Sequence, residues 1–285
     1  TESVSGSCSP KDFETMMQLT YLTFTAPRRD DDAFASYKNR NKAALKNQEL
    51  NPNVAFSDSI QAGIYMKHPR IIRIKADMVD QMDYDKILSM YQDRFKDASD
   101  FTFIFVGNVD VEKMKPVIAE YLGALPAVNR KETFKDNKIE MRQGIYKNEF
   151  TKQQETPKAS VFAFYNGDCK YDLRNNLLLS MTSQILDLVY TEKVREDEGG
   201  TYGVYVGGTL QKYPKEKAIL QIIFDTAPEK KEKLMKIIFG EIDNITKTGP
   251  SEANLNKVKE YMLKKHTEDL KENSYWLGML EIGRA

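Results

Sequence analysis

The residues best suited to chemistry lie in one short segment, which begins at Arg195 and ends at Tyr202. Between them, Gly199, Gly200 and Thr201 follow a charged run. Because two adjacent glycines permit a sharp reversal, the guanidinium and the phenol are predicted to end on one side of the turn. Together they offer several hydrogen-bond donors, which suits the holding of a peptide carbonyl oxygen as it becomes an oxyanion. The glycines would also let a substrate backbone approach the following strand.

The same residues also have a purely structural interpretation. Arg195 near the end of a helix suits the helix dipole, and it could pair with Glu196 or Glu198. Tyr202 would share one face of a strand with Val204 and serve as a core residue. Spacing alone leaves both interpretations open.

Histidine and cysteine are too scarce to build a metal site. His68 and His266 are the two histidines, and neither has a second histidine three or four positions away. We therefore interpret both as surface or packing residues. Cys8 and Cys169 form neither a disulfide scaffold nor a zinc clamp, and we expect two free thiols, with a single pairing left open. No metal site is expected within this chain.

The composition is that of a globular protein and excludes several function classes. The chain has 285 residues, of which 41% are hydrophobic and 29% charged, which suits about two domains with ordinary cores. Forty-two Lys and Arg balance 42 Asp and Glu, so no basic excess attracts nucleic acid or anionic lipid. Every apolar stretch is interrupted well before the ~18 residues of a membrane helix. We expect no nucleic-acid partner and no membrane span.

Helix signals dominate the first part of the chain. Capping residues, prolines and apolar spacing predict helices from Ser9-Pro10 to Ala26-Pro27, from the acidic run 30–32, from Asn51-Pro52 through Ile64, and over 83–95. The acidic run is interpreted as a helix cap rather than a metal site. Next comes Phe101–Val106, a predicted buried strand that leads into a covering helix over 111–123.

The second part alternates strands and helices. Residues 127–144 are rich in charged and polar side chains, which is typical of a connector. Beyond it the patterns predict strands at 144–151, 159–165, 201–210 and 218–225, and helices at 173–194, 229–245 and 252–270. We expect an α+β fold with domains at 1–126 and 145–285, joined by the connector.

An internal similarity suggests that two related domains are each present in part. Residues 16–22 with the break at Ala26-Pro27 resemble residues 234–239 with the break at Gly249-Pro250. A repeat at that spacing is a whole domain long. The first copy would then lack its opening strands, and the second its closing strand and helix. Chance similarity between two amphipathic helix pairs is the alternative.

Several segments in one order resemble the pitrilysin/insulinase-type zinc peptidases, the inverted-motif family that includes mitochondrial processing peptidase. The pattern Arg195-Glu-x-Glu-Gly-Gly-x-Tyr202 matches a motif from the C-terminal half of such enzymes. The other matching segments are 9–15, 24–28, 51–70 and 103–126. The shared order makes the resemblance specific.

The resemblance implies a fold and an activity. The fold would be two processing-peptidase-like units, each a sheet covered on one face by helices, with the first unit incomplete. The activity would be proteolysis, in which Arg195 and Tyr202 are catalytic and Gly199, Gly200 and Thr201 bind substrate. The partners would be a peptide or unfolded polypeptide substrate and the N-terminal half of the same protein. Bacterial members imply a periplasmic location.

One departure from the family pattern is informative. The zinc motif of the family, His-x-x-Glu-His with a distal Glu, has no match in this sequence. Zn²⁺ would therefore be bound outside this chain, and the chain alone is predicted to be inactive.

Two other interpretations stay open. In the first, the protein is a non-catalytic homologue that binds peptides or scaffolds an assembly, and Arg195 and Tyr202 are relics. In the second, it is an unrelated α+β protein. An intact His-x-x-Glu-His motif encoded upstream of Thr1 would support the peptidase.

Overall fold

A computed structural model describes residues 3–133, 135–196 and 203–284, which form helices and one small antiparallel sheet. The helices are α1 Phe13–Thr25, α2 Asp31–Glu49, α3 Pro52–Tyr65, α4 Tyr84–Phe95, α5 Val111–Tyr121, α6 Leu173–Tyr190, α7 Lys231–Thr248, α8 Glu252–Asp269 and α9 Asn273–Arg284. The strands are β1 Ala159–Asp168, β2 Val204–Gln211 and β3 Lys217–Thr226. The predicted α+β class is confirmed.

Local capping explains where the helices begin. The side chains of Asp83, Asp110 and Asp172 accept hydrogen bonds from backbone N–H groups three residues further along the chain, at 3.0, 3.3 and 2.8 Å. Each bond satisfies a donor that has no partner within its own helix. At the other end of α7, Gly249 has a φ of 76°, which suits a glycine after a helix. Helix α9 was not predicted.

Two predicted strands, Phe101–Val106 and Gly144–Thr151, are wrong. Both segments are without helix or strand pairing in the structure. Phe101 and Phe103 nevertheless contact Phe24 of α1, with ring centroids 4.8 and 6.0 Å apart, and Phe105 contacts Phe13 at 5.8 Å. The alternation of a strand is therefore present. What these segments lack is a neighbouring strand among the described residues, because a strand is defined by its hydrogen bonds to a partner.

The described chain packs as two compact units. The first comprises residues up to Asn47, Ile74–Lys135 and residues from Thr267 onward, and the second comprises Gln48–Arg73 and Asp136–His266. These units differ from the domains at 1–126 and 145–285, which remain a prediction.

The first unit has an aromatic core. Phe24, Phe95 and Leu125 are buried together. Phe24 and Phe95 meet edge to face at 5.0 Å, the arrangement that aromatic pairs favour. Asp97, fully buried at the end of α4, accepts hydrogen bonds from the backbone N–H groups of Ser99, Val128 and Arg130.

The second unit is built on the sheet, whose strand order is β1-β3-β2 with both pairs antiparallel. One face carries the rows Val161–Phe224–Val204 and Ala163–Ile222–Val206, which pack against α6 and α7. The main core cluster contains Leu186, Tyr190, Val194, Ile222, Phe224, Leu234 and Ile238.

Helix α6 lies close to β2, and Gly208 makes this possible. A Cβ atom at position 208 would clash with Ser183 Oγ and would come within 2.9 Å of Leu179 Cγ. On the other side of α6, Ile185 and Val189 pack with Val258 of α8. The helix is therefore held between the sheet and α8.

Two further observations concern the predicted thiols and the predicted lack of a membrane span. Cys8 and Cys169 are both free. Within the described ranges, no helix combines the length and the apolar character needed to cross a membrane.

Candidate functional site

The candidate segment lies between the end of α6 and the start of β2. After α6 the chain continues as a π-helical turn, Thr191–Glu196, which contains the backbone of Arg195. The Arg195 side chain is not among the described side chains, and Gly199, Gly200, Thr201 and Tyr202 lie outside the described residues. Their predicted roles therefore remain predictions. Strand β2 begins at Val204, two residues after Tyr202.

Val194 anchors the turn from inside the second unit. Its side chain is completely buried, and it packs with Leu186 and Tyr190 of α6 and with residues of β3 and α7. A residue immediately before Arg195 is thus fixed by the core. Single π-helical turns inside or after α-helices occur frequently at functional sites.

Polar contacts hold the outer side of the same turn. Lys193 forms an ion pair with Glu241 of α7, and Glu192 lies 3.7 Å from Lys257 of α8. Immediately before the turn, Tyr190 Oη donates a 3.0 Å hydrogen bond to the Ile238 carbonyl. Burial raises the pKa of Tyr190 above its ordinary value. The turn that carries Arg195 is therefore held on both its sides.

The two faces of β2 differ sharply. Val204 and Val206 face the core, as the alternation predicted. Tyr205 faces outward and is 58% exposed. A Cβ atom at Gly207 would come within 2.8 Å of Tyr205 Oη, so the glycine lets the tyrosine ring lie along its own strand.

One row on the outer face of the sheet is apolar, which the sequence reasoning missed. The register places Phe162, Ile223 and Tyr205 in one row across the three strands. Phe162 and Phe164 lie 6.1 Å apart, with their rings nearly parallel. An antiparallel sheet that faces only water usually carries polar residues on that face. The alternating phenylalanines of β1 were the available signal.

The residues that the structure describes do not fit a zinc ion. In the part of the chain that the structure describes, no group of three His, Cys, Asp or Glu side chains could hold a metal. His68 Nδ1 accepts a hydrogen bond from the Arg70 backbone N–H at 3.2 Å, a local turn contact. His266 lies in α8.

The chain is similar to curated proteins that are much longer than it is. The chain is 22% identical over 288 residues to the Arabidopsis thaliana protein "Zinc protease PQQL-like", covering 95% of this chain and 30% of that protein. It therefore spans about 30% of the length of the curated relatives it matches.

Solved structures share the fold. The crystal structure of the periplasmic protease PqqL from Escherichia coli matches 93% of this chain and 29% of its own, with a TM-score of 0.79 and 21% identity. The ferredoxin protease FusC, solved as a mutant in complex with Arabidopsis ferredoxin, matches 91% of this chain and 28% of its own, with a TM-score of 0.71 and 13% identity.

The family assignment rests on a sequence profile described as "Peptidase M16 inactive domain", which matches residues 81–262, well over half of the chain. The matched range includes α6, the π-helical turn, the segment from Arg195 to Tyr202 and the whole sheet. This chain belongs to the Peptidase M16 inactive domain family, the C-terminal type of module in pitrilysin-like peptidases.

Proposed function

We propose that this chain provides substrate-binding and oxyanion-stabilising groups to a zinc-dependent metalloendopeptidase. The observation that carries the proposal is the family match, which spans the segment from Arg195 to Tyr202. Relatives of about three times the length are named zinc proteases, which supports a peptidase as the complete protein.

Arg195 and Tyr202 would act on the scissile peptide bond itself. As the carbonyl carbon becomes tetrahedral, negative charge develops on its oxygen, and donors already aimed at that oxygen lower the barrier. A guanidinium and a phenol offer such N–H and O–H groups. Gly199, Gly200 and Thr201 would let the substrate backbone approach these donors, because glycine leaves room for a second chain.

The outer face of the sheet supports the binding part of the proposal. The row Phe162–Ile223–Tyr205 offers apolar contact to alternate side chains of an extended peptide. Strand β2 pairs only with β3 among the described strands, so one of its edges is open. A substrate segment could pair with that edge by strand addition.

Zinc would be bound outside this chain in this proposal. The described residues contain no suitable ligand group, and the chain covers less than a third of the relatives' length. The N-terminal half of the same protein would then be the partner that binds the metal. The structural relative described as a periplasmic protease supports a periplasmic location.

A non-catalytic peptide-binding or scaffolding module is the second candidate. The family description as an inactive domain and the apolar row Phe162–Ile223–Tyr205 both favour it. The sequence encoded upstream of Thr1 separates the two candidates. An intact His-x-x-Glu-His motif supports the peptidase, and a degenerate motif supports the binding module.

Tyr202→Phe in the complete protein tests the catalytic role. Loss of one oxyanion donor lowers kcat by about 10²–10³-fold, and we expect KM to change little. Steady-state hydrolysis of a fluorogenic peptide measures both constants. Tyr261→Phe removes the same hydroxyl from an exposed residue of α8, and it should leave kcat unchanged. Wild-type turnover in Tyr202→Phe would rule out the role.

A further inference from the structure

A second surface in the same unit lies between α3 and the segment 142–150, which bends at Gly144. The two enclose a groove of about 530 Å³, which we call the α3 groove. Its helical wall is formed by residues that share one face of α3, namely Ala55, Asp58, Ser59 and Ala62. Its other wall is formed by alternate residues of the segment, namely Arg142, Tyr146, Asn148 and Phe150.

Three hydrogen bonds fix the segment against the helix. The Arg142 backbone N–H donates to the Ile64 carbonyl at 2.7 Å, and Arg142 Nε donates to the Gly63 carbonyl at 2.8 Å. Further along, Asn148 Nδ2 donates to Ser59 Oγ at 2.6 Å. The segment therefore runs antiparallel to α3, with Arg142 at the C-terminal end of the helix.

The uncompensated charge in the groove is positive. Asp58 is already paired with Arg73 at 2.9 Å. The Arg142 guanidinium lies 4.1 Å from the centre of the Tyr146 ring, and no carboxylate among the described residues pairs with it. Lys67, which lines the same end of the groove, is likewise without an acidic partner among those residues. A ligand that brings a carboxylate would meet two cations at one end.

The segment also offers a free backbone edge. Within the described chain, residues 143–150 form no backbone-to-backbone hydrogen bond, although Gly144–Thr151 has the sequence pattern of a strand. Unpaired N–H and C=O groups along an extended segment can accept an added strand. The alternate side chains of such a strand would point toward the small residues Ala55 and Ala62.

We propose that the α3 groove binds an extended peptide with a carboxylate side chain at one end and an apolar side chain about four residues away. The carboxylate would contact Arg142 and Lys67, and the apolar side chain would lie near Ala55 and Phe150. Along α3, Ala55 and Met66 are separated by about 16 Å, which about five extended residues span. The groove goes beyond the peptidase proposal, because it binds without requiring hydrolysis.

Fluorescence anisotropy with two pentapeptides tests the groove in the complete protein. Both peptides have the fluorophore at the N-terminus, are C-amidated and begin with Leu-Thr-Ala-Thr, so that the first and fifth side chains share one face. One ends in Glu and the other in Gln. We expect the Glu peptide to bind about fivefold to tenfold more tightly, the effect of charge-assisted hydrogen bonds at a half-exposed site.

Three variants and one control locate the binding. Arg142→Gln and Lys67→Asn should each reduce the preference for Glu, because each removes one of the two cations. Asparagine tolerates the left-handed backbone of Lys67, whose φ is 57°. Ala62→Leu should weaken both peptides by narrowing the groove. Lys147→Gln removes a charge from the same segment but from the alternate side, and it should change neither affinity.

The proposal would be overturned if the two peptides bound with equal affinity or if neither bound at millimolar concentration. It would also be overturned if Lys147→Gln reduced the preference for Glu as much as Arg142→Gln does. Lys67→Asn and Ala62→Leu keep the test valid if Arg142→Gln unfolds α3. None of these variants alters Arg195 or Tyr202, so loss of groove binding with normal hydrolysis is distinguishable from failure of the peptidase proposal.

Discussion

At the scale of single residues, Asp97 shows how a buried carboxylate organises the first unit. Its side chain is completely buried and accepts hydrogen bonds from the Ser99 hydroxyl at 2.6 Å and from the backbone N–H groups of Ser99, Val128 and Arg130. These donors lower the pKa of Asp97 well below its ordinary value, the Ser99 hydroxyl contributing most. The ionised form is therefore the one that the fold stabilises.

Asp97→Asn should remove a pH-dependent part of the stability. Because the pKa of Asp97 is lower in the folded than in the unfolded state, its contribution is complete above the unfolded value of about 4 and is lost as the pH falls below it. We expect the wild type to lose more free energy of unfolding than Asp97→Asn between about pH 5 and pH 2, because there the unfolded chain takes up a proton at Asp97 more readily than the folded protein does. Urea unfolding followed by Trp276 fluorescence measures the difference. Parallel pH curves for the two proteins would contradict it.

The candidate site also depends on single residues, whose types can be read directly from the sequence but whose positions cannot. The types and spacing of Arg195 and Tyr202 allow a donor pair but leave a purely structural role open. Where the donors point depends on the core that holds Val194 and on the face of β2 that packs inward. Those constraints come from residues distant in sequence, such as Leu234 and Ile238.

At the scale of elements, α6 must pack closely against β2, because the π-helical turn continues directly from the C-terminal end of α6. Gly208→Ala tests this contact, because the added methyl group would clash with Ser183 and Leu179. We expect a loss of about 1–3 kcal/mol in the free energy of unfolding, the usual cost of overpacking a core. Denaturant unfolding monitored by circular dichroism gives the value.

Gly167→Ala is the matched control for Gly208→Ala. Gly167 lies in β1, and a Cβ atom there would have no neighbour within 4 Å. Its stability should stay within about 0.5 kcal/mol of the wild type. If both alanine variants behave alike, α6 does not depend on the absence of a side chain at position 208.

Helices were easier to predict than strands for a physical reason. A helix forms its hydrogen bonds within itself, so local signals such as Asp83 and Asp172 at its start locate it. A strand depends on a partner, and the patterns of Phe101–Val106 and Gly144–Thr151 contain no information about whether one is adjacent. The π-helical turn after α6 also escaped prediction, because the burial of Val194 is a tertiary effect.

At the scale of the whole molecule, the chain is a module of a peptidase family without a metal site among its described residues. We expect this 285-residue chain to bind no stoichiometric Zn²⁺ in equilibrium dialysis and to leave peptide substrates uncut when zinc is added. The complete protein is the positive control for both assays. Hydrolysis by the chain alone would show that the metal and its ligands lie within it.

In the proposed mechanism, Arg195 and Tyr202 together contact the oxygen on which charge develops. The most direct measurement is a crystal structure of the complete protein with a bound phosphinate peptide, a stable analogue of the tetrahedral species. We expect an Arg195 guanidinium nitrogen and Tyr202 Oη each to lie about 2.7–3.1 Å from a phosphinate oxygen. Side chains that point apart, or a Tyr202 ring enclosed in the core beside Val204, would contradict it.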